Sequence, residues 1–396
     1  MSSQAPHYPQ QRSCPYQPPA GYRELGEQGP LLKVTLFDGR EAWLVTGYQE
    51  SREILTHPNL SSKRTHPDFP IVAPRFRSQI ARSLAMIAMD PPEHDLYRRY
   101  LNPHFSLKQV RRMQPEIERI VTGYVDRIID HGPPADLIPL LAVPLPSLVI
   151  CRHLGVPFED HEFFQDASGK VMLGTEEESG GAAQELVDYI DALVTAQIKE
   201  PTDGLLGTLV RERVLTGDIG HAELVSIALV LLIAAHETTS SSLALGVITL
   251  LEHPEQLSLL HQDPSRTGTA VEELLRFIAT TDLVATRIAK GDIELAGQTI
   301  RAGEGVLVSG TLANRDPLTH QRPEELDLLR ADSHHLTFGF GIHQCLGQNL
   351  ARLELEVAFR ELFTRIPGLR LDAEVGDLPI LGAGTVQRVL SLPVAW

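Results

Sequence analysis

Apolar residues recur along this chain in two periods. Between Gln114 and Ile129, the residues Ile117, Ile120, Val121, Tyr124, Val125 and Ile128 predict one apolar face of a helix. Glu185 to Ile198 repeats that spacing. Ile227 to Ala235 is apolar throughout; it is well short of the ~20 residues a membrane span needs and reads as a buried core helix. Leu31 to Thr46 instead holds two apolar runs around Asp38-Gly39, which predicts a β-hairpin. Short strands are expected again near Ile293 to Val306 and at Val386 to Leu392. The fold class is therefore mainly α with a minor β portion.

Where the pattern lapses, loops are expected. Residues 1–20 are polar and Pro-rich and predict a loose tail ahead of a single domain over 21–396, since no linker or internal repeat divides the rest. The first residues carry no apolar stretch of the kind a signal peptide or membrane anchor uses. Gly174 to Gly181 is glycine-rich and acidic, with Glu176, Glu177 and Glu178 in a row. It predicts a mobile surface loop, and so a candidate lid within residues 165–190.

Charge and cysteine content narrow the function classes. The 396 residues carry a net charge of −16 without a long Lys/Arg run, which argues against nucleic-acid binding. Cys14, Cys151 and Cys345 are far apart and odd in number. That argues against a disulfide framework and for a reducing, cytoplasmic setting.

The densest chemical signal runs from Phe338 through Gly339, Gly341, His343, Cys345 and Gly347 to Ala351 and Arg352. Glycines permit tight turns and close approach of the backbone to a flat group. After Cys345, the residues Leu346, Leu350, Leu353 and Val357 return to helical spacing, which puts the cysteine at a helix N-terminus. Free N–H groups and the positive dipole end there favour a thiolate, a suitable axial ligand for haem iron. Two blander readings stand beside this one: a buried cysteine in a turn, and a zinc site drawing on His334, His335, His343 and Cys345. The zinc spacing fits no usual pattern and leaves the glycines unexplained.

This motif resembles the cysteine signature of the cytochromes P450, Phe-Gly-x-Gly-x-His-x-Cys-x-Gly, in full. The likeness runs from about residue 20 to the end and is nearest to soluble actinobacterial members that tailor secondary metabolites. It implies a triangular-prism fold with a helix-rich half and small β sheets. It also implies haem b, with Cys345 on the iron and further contacts from Phe338, Gly339, Gly347 and Ala351. His94, Arg98, Arg287 and His343 match the family's propionate partners, and Glu273, Arg276 and Arg330 its core-locking triad. Glu237 and Thr238 match the catalytic acid–alcohol pair that supplies protons to dioxygen, with Ala235 standing where the family has glycine.

The function implied is a monooxygenase acting on a medium-to-large apolar natural product such as a polyketide, macrolide or terpenoid. By the same resemblance, the pocket takes its walls from Met86, Ile87, Leu231, Ala234, Ala235, Thr238, Leu283, Val284 and Thr385. Arg75, Arg77 and Arg82 would greet an acidic group on the substrate, or be solvated loop charges. No flavin or iron–sulfur segment fits in the chain, so electrons are expected from a separate ferredoxin and NAD(P)H-dependent reductase. The docking face would be Arg99, Lys108, Arg111 and Arg112. The enzyme is expected to be monomeric, with no membrane or nucleic-acid partner. Two alternatives remain open from sequence: a peroxide-dependent haem–thiolate enzyme, and a haem protein that binds ligands without turnover.

Overall fold

The computed structural model describes residues 5–12, 14–76, 85–157, 160–278, 280–331, 333–381 and 386–396. Thr385, Arg77 and Arg82 lie outside the described residues, as does the side chain of Arg75. The longer helices are α1 (Glu93–Leu101), α2 (Leu107–His131), α3 (Pro144–Leu154), α4 (His161–Leu173), α5 (Glu176–Lys199), α6 (His221–Glu252), α7 (Pro254–Gln262), α8 (Thr267–Ile278) and α9 (Gln348–Arg365).

The main sheet has the order β1 (Leu31–Thr35), β2 (Glu41–Val45), β8 (Gly305–Ser309), β5 (Leu283–Ala289) and β3 (Leu60–Ser61). β1 and β2 form the expected antiparallel hairpin, with Leu31 opposite Val45 and Gly39 at φ +81° in its turn. Smaller sheets pair β6 (Ile293–Leu295) with β7 (Gln298–Ile300), and join β12 (Pro393–Ala395) to β4 (Ala135–Asp136) and β9 (Arg370–Leu371). The expected strand near 386–392 narrows to β11 (Arg388–Val389), paired with β10 (Ile380–Leu381).

α6 runs through the core and packs against α3, α4, α5, α8 and α9. It is long and apolar enough to cross a membrane by length and composition, yet 72% of its most apolar window is buried against these neighbours. Its burial all round is what a core helix shows. The predicted face of α2 is buried at Ile117, Val121, Tyr124, Val125 and Ile128, with Ile120 partly covered.

Two expectations about loops are corrected. Residues 174–181 are not a loop: only Gly174 and Thr175 separate α4 from α5. Thr175 and Glu178 form a capping box, in which the Glu178 N–H donates to Thr175 Oγ1 and Glu178 Oε2 accepts from the Thr175 N–H. The glutamates read as mutually repelling sit in the first helical turn, where the dipole and free N–H groups favour negative charge. The described part of residues 1–20 is not loose either. Tyr8 is 1% exposed and stacks on Tyr22, and Arg12 is ion-paired to the buried Asp282. His7 bridges to Thr35 at the edge of β1. The aromatic residues spaced through that polar stretch are what anchor it.

Candidate active site

Two positive-φ glycines, Gly339 (+70°) and Gly341 (+75°), fold the segment before α9 back on itself. The Cys345 N–H donates to the Phe338 carbonyl at 2.8 Å and closes the loop. A Cβ on Gly341 would stand 3.0 Å from the Leu55 carbonyl, so this turn has no room for a side chain. Arg352 lies over the Phe338 ring at 4.5 Å and pairs with Glu272 of α8 at 2.6 Å, which ties the loop to the core.

Cys345 lies just ahead of α9, whose N-cap is Gly347. Its side chain carries accessible surface, yet the atoms packed round its sulfur push the thiol pKa up. The N–H groups of Gly347 and Gln348 and the cations Arg98 and Arg352 oppose that shift and favour the thiolate.

Beside the cysteine, α1 and β5 bring cations together. The His94 and His343 rings stand 4.1 Å apart, and Arg98 Nη1 donates to the Gln344 carbonyl at 2.9 Å. Burial lowers the Arg98 and His94 pKa values, and burial with Arg64 pulls Arg287 down to about 10. His343 falls to about 2, through burial and the charges of Arg287, His94 and Arg98. Asp90 draws Arg287 the other way, but it is already engaged by the Ser61 hydroxyl and the Ser62 N–H. Among the described residues, no carboxylate lies within 4 Å of Arg98 or Arg287. Such a cluster lacks a counter-charge, and the two propionates of a haem held by Cys345 would supply it. The donor set therefore fits the expected cofactor. It does not fit zinc, since no group of three or more metal-ligating side chains occurs among the described residues. Arg64 and Ser62, whose hydroxyl is 2.9 Å from His343 Nε2, were missed in the sequence because no motif surrounds them.

Glu273, Arg276 and Arg330 meet as expected. Arg276 is 0% exposed and makes a bidentate pair with Glu273 at 2.7 and 2.8 Å, and Arg330 Nε reaches Glu273 at 3.1 Å. Carbonyls of Asn314, Pro323 and Glu325 accept the remaining Arg276 protons.

Accessible surface opens in the middle of α6 at Ile233–Ala235 and Thr238, between buried turns. The Thr238 hydroxyl donates to the Ala234 carbonyl one turn back, at 2.8 Å. Glu237 is 3% exposed, and burial raises its carboxyl while Arg388 lowers it. Arg388 Nη1 lies 3.3 and 3.5 Å from the two carboxylate oxygens. Of the expected pocket walls, Met86 and Leu231 are buried, Ile87, Leu283 and Val284 are half-buried, and Ala234 is exposed. Arg388 was not anticipated, because a lone arginine in a two-residue strand carries no pattern.

Three comparisons bear on this arrangement. A model of the cytochrome P450 family matches residues 267–366. The chain is 50% identical to cytochrome P450 105A3 of Streptomyces carbophilus, over 100% of its own length and 97% of that protein's. It is 47% identical to pentalenic acid synthase of Streptomyces avermitilis, over 98% and 97% of the two chains. The crystal structure of mycinamicin VIII C21 methyl hydroxylase from Micromonospora griseorubida, bound to mycinamicin VIII, aligns with a TM-score of 0.93 at 40% identity. That alignment covers 99% of this chain and 100% of the other.

Proposed function

The chain belongs to the cytochrome P450 family and is a haem–thiolate monooxygenase, and from that premise we propose that it hydroxylates or epoxidises a medium-to-large apolar natural product of the polyketide, macrolide or terpenoid kind. The observation that supports the site assignment is the pair of guanidinium groups of Arg98 and Arg287, which have no carboxylate within 4 Å among the described residues and lie close to Cys345 and His343. The relatives' natural-product names support the substrate class.

In this reading, Cys345 would hold the iron of haem b, His94, Arg98, Arg287 and His343 would hold its propionates, and Phe338, Gly339, Gly347 and Ala351 would make further contacts with it. When bound, haem supplies the binding and reductive cleavage of dioxygen. The protein's share is placement and protons. Ala234, Ala235, Leu231, Leu283, Val284, Met86 and Ile87 hold an apolar substrate and keep water away. Released from the Ala234 carbonyl, the Thr238 hydroxyl hands a proton into the pocket, and the Glu237 carboxyl replaces it from solvent. The methyl of Ala235 narrows the groove along which those groups work.

Electrons come from a separate ferredoxin and its NAD(P)H-dependent reductase. Arg99, Lys108, Arg111 and Arg112 are all exposed on α1 and α2, which suits an acidic ferredoxin. Reversing Arg111 and Arg112 to Glu should slow iron reduction without changing substrate affinity; equal rates would rule out this docking face. The reading includes a monomeric enzyme in the cytoplasm, the latter supported by three unpaired cysteines.

The reduced protein with carbon monoxide should show the red-shifted Soret band of a thiolate-bound haem, and Cys345→Ala should lose it together with activity. Substrate-coupled oxygen uptake that depends on NAD(P)H and surrogate redox partners separates this function from the peroxide-dependent and non-catalytic readings. Full turnover by the Cys345 variant, or turnover with peroxide alone, would overturn it.

A further inference from the structure

Glu237 sits where three distant parts of the chain meet. Its partner Arg388 comes from β11 at the C-terminal hairpin, and the guanidinium passes between α6 and α4. On α4 the facing residue is Gly169, where a Cβ would stand 2.9 Å from Arg388 Nη1. The absence of a side chain at that position is what lets the arginine through.

A second basic side chain lies close to the carboxylate. His236 Nδ1 is 3.4 Å from Glu237 Oε1, and His236 Nε2 is 3.2 Å from the Val143 carbonyl. A carbonyl only accepts, so Nε2 carries the proton and Nδ1 of the neutral ring is a bare acceptor. It has no hydrogen-bond partner, and Arg388 Nε has none either. A carboxylate gives Nδ1 nothing; a protonated Glu237 has an O–H to donate to it. Burial and Arg388 push His236 down to about 4, so its ring is neutral at physiological pH. Among the described residues, Arg388 and His236 are the only basic side chains within 4 Å of the Glu237 carboxylate. Lys170, next to Gly169 on α4, pairs with Asp166 in solvent instead.

We propose that Arg388 and His236 are positioning residues that give Glu237 one partner for each protonation state. Arg388 holds the carboxylate, and His236 Nδ1 accepts from the neutral acid. Protonation moves the Glu237 head group from the C-terminal hairpin toward His236, and loss of the proton returns it. The proton enters from solvent and leaves toward Thr238, so the device sets the pH range over which Glu237 exchanges protons. This rests on the reading of Glu237 as a proton carrier.

The test uses the haem-loaded enzyme and two readouts. The first is the carboxylic-acid C=O band in infrared difference spectra across pH, assigned by its loss in Glu237→Gln. A cation at this range lowers a carboxyl by about 1–3 pH units, so Arg388→Gln should raise the band's midpoint by that amount, and Arg388→Lys should restore most of it. His236→Phe should lower the midpoint, because the neutral acid loses its acceptor. If the glutamine variant does not load haem, Arg388→Met, which keeps the length of the stem, is read by the same criterion. An unmoved midpoint in the arginine variant, or in His236→Phe, overturns the inference. The second readout is peroxide released per NAD(P)H with 7-ethoxycoumarin as the probe substrate. If Glu237→Gln leaves that ratio unchanged, the proton-carrier reading itself fails, whatever the midpoints do. If the ratio rises while the midpoints stay fixed, only the two-partner device fails.

Discussion

Two of the buried carboxylate–guanidinium pairs in this protein are built differently. Glu273 and Arg276 lie one helical turn apart on α8, meet in bidentate geometry at 2.7 and 2.8 Å, and have their remaining hydrogen-bonding capacity taken up by Arg330, the Asp327 N–H and three carbonyls. Glu237 and Arg388 are 151 residues apart and meet at 3.3 and 3.5 Å, with Arg388 Nε and the neighbouring His236 Nδ1 unpartnered. A fully satisfied buried pair is fixed, because every rearrangement leaves a charge without a partner. A long pair with an idle acceptor beside it can rearrange at low cost. The first pair suits a fixed scaffold, and the second suits the proton handling proposed for Glu237.

The largest effect expected from this contrast is at the tight pair. Glu273→Ala should cost about 3–5 kcal/mol, since it strands Arg276 as a buried, uncompensated charge. The check is the yield of folded, haem-loaded protein and its thermal midpoint; a loss of under about 1 kcal/mol would put this pair in the same class as the loose one.

Another buried carboxyl marks the opposite limit. Glu354 on α9 is 3% exposed, its Oε2 has no partner, and burial raises its pKa to about 8. Because that lies above the value of about 4.3 for an unfolded chain, the fold favours the neutral form, and stability falls as pH rises from about 4 toward 8. Glu354→Gln should remove that decline and stabilise the protein at pH 8 by on the order of a few kcal/mol, with little effect at pH 4. Melting curves with the same pH slope in both proteins would contradict it.

At the loose pair's neighbour, Thr238→Ala should keep NAD(P)H consumption while cutting the product fraction about tenfold, equivalent to about 1.4 kcal/mol. An unchanged ratio of product to peroxide would remove Thr238 from the proton path. The smallest effect is expected at the turn that carries α4 into α5. Thr175→Ala should cost about 1 kcal/mol by removing a helix cap. Hydrogen exchange should then quicken near Thr175, on the Arg388 side, and stay unchanged around Glu273. Faster exchange at both sites would mean the two regions are not separable.

The same contrast governs what was legible from the chain. The cysteine loop, the pairing of Glu273 with Arg276 and the hairpin at Asp38–Gly39 could be read because their parts are close in sequence: a turn needs its glycine at the bend, and two residues three apart share a helix face. The cap at Thr175 was equally local and was misread, since three glutamates in a helical first turn look, without the helix, like a charged loop. The packing of Tyr8 on Tyr22 and of Arg12 on Asp282 was not legible, because a polar segment is anchored by a few side chains whose partners lie far along the chain.

By itself, then, the sequence determined the helical class, the glycine turns of the cysteine loop and the shared helix face of Glu273 and Arg276, each set by residue spacing within a turn or two of backbone. The tertiary structure alone decided which charges share a cluster and which carboxylate meets which cation. Arg64 reaches Arg287, and Arg388 reaches Glu237 past Gly169, only after sheets and helices from opposite ends of the chain have packed. Electrostatic interaction depends on distance through space and on burial, and neither is written in the spacing along the chain.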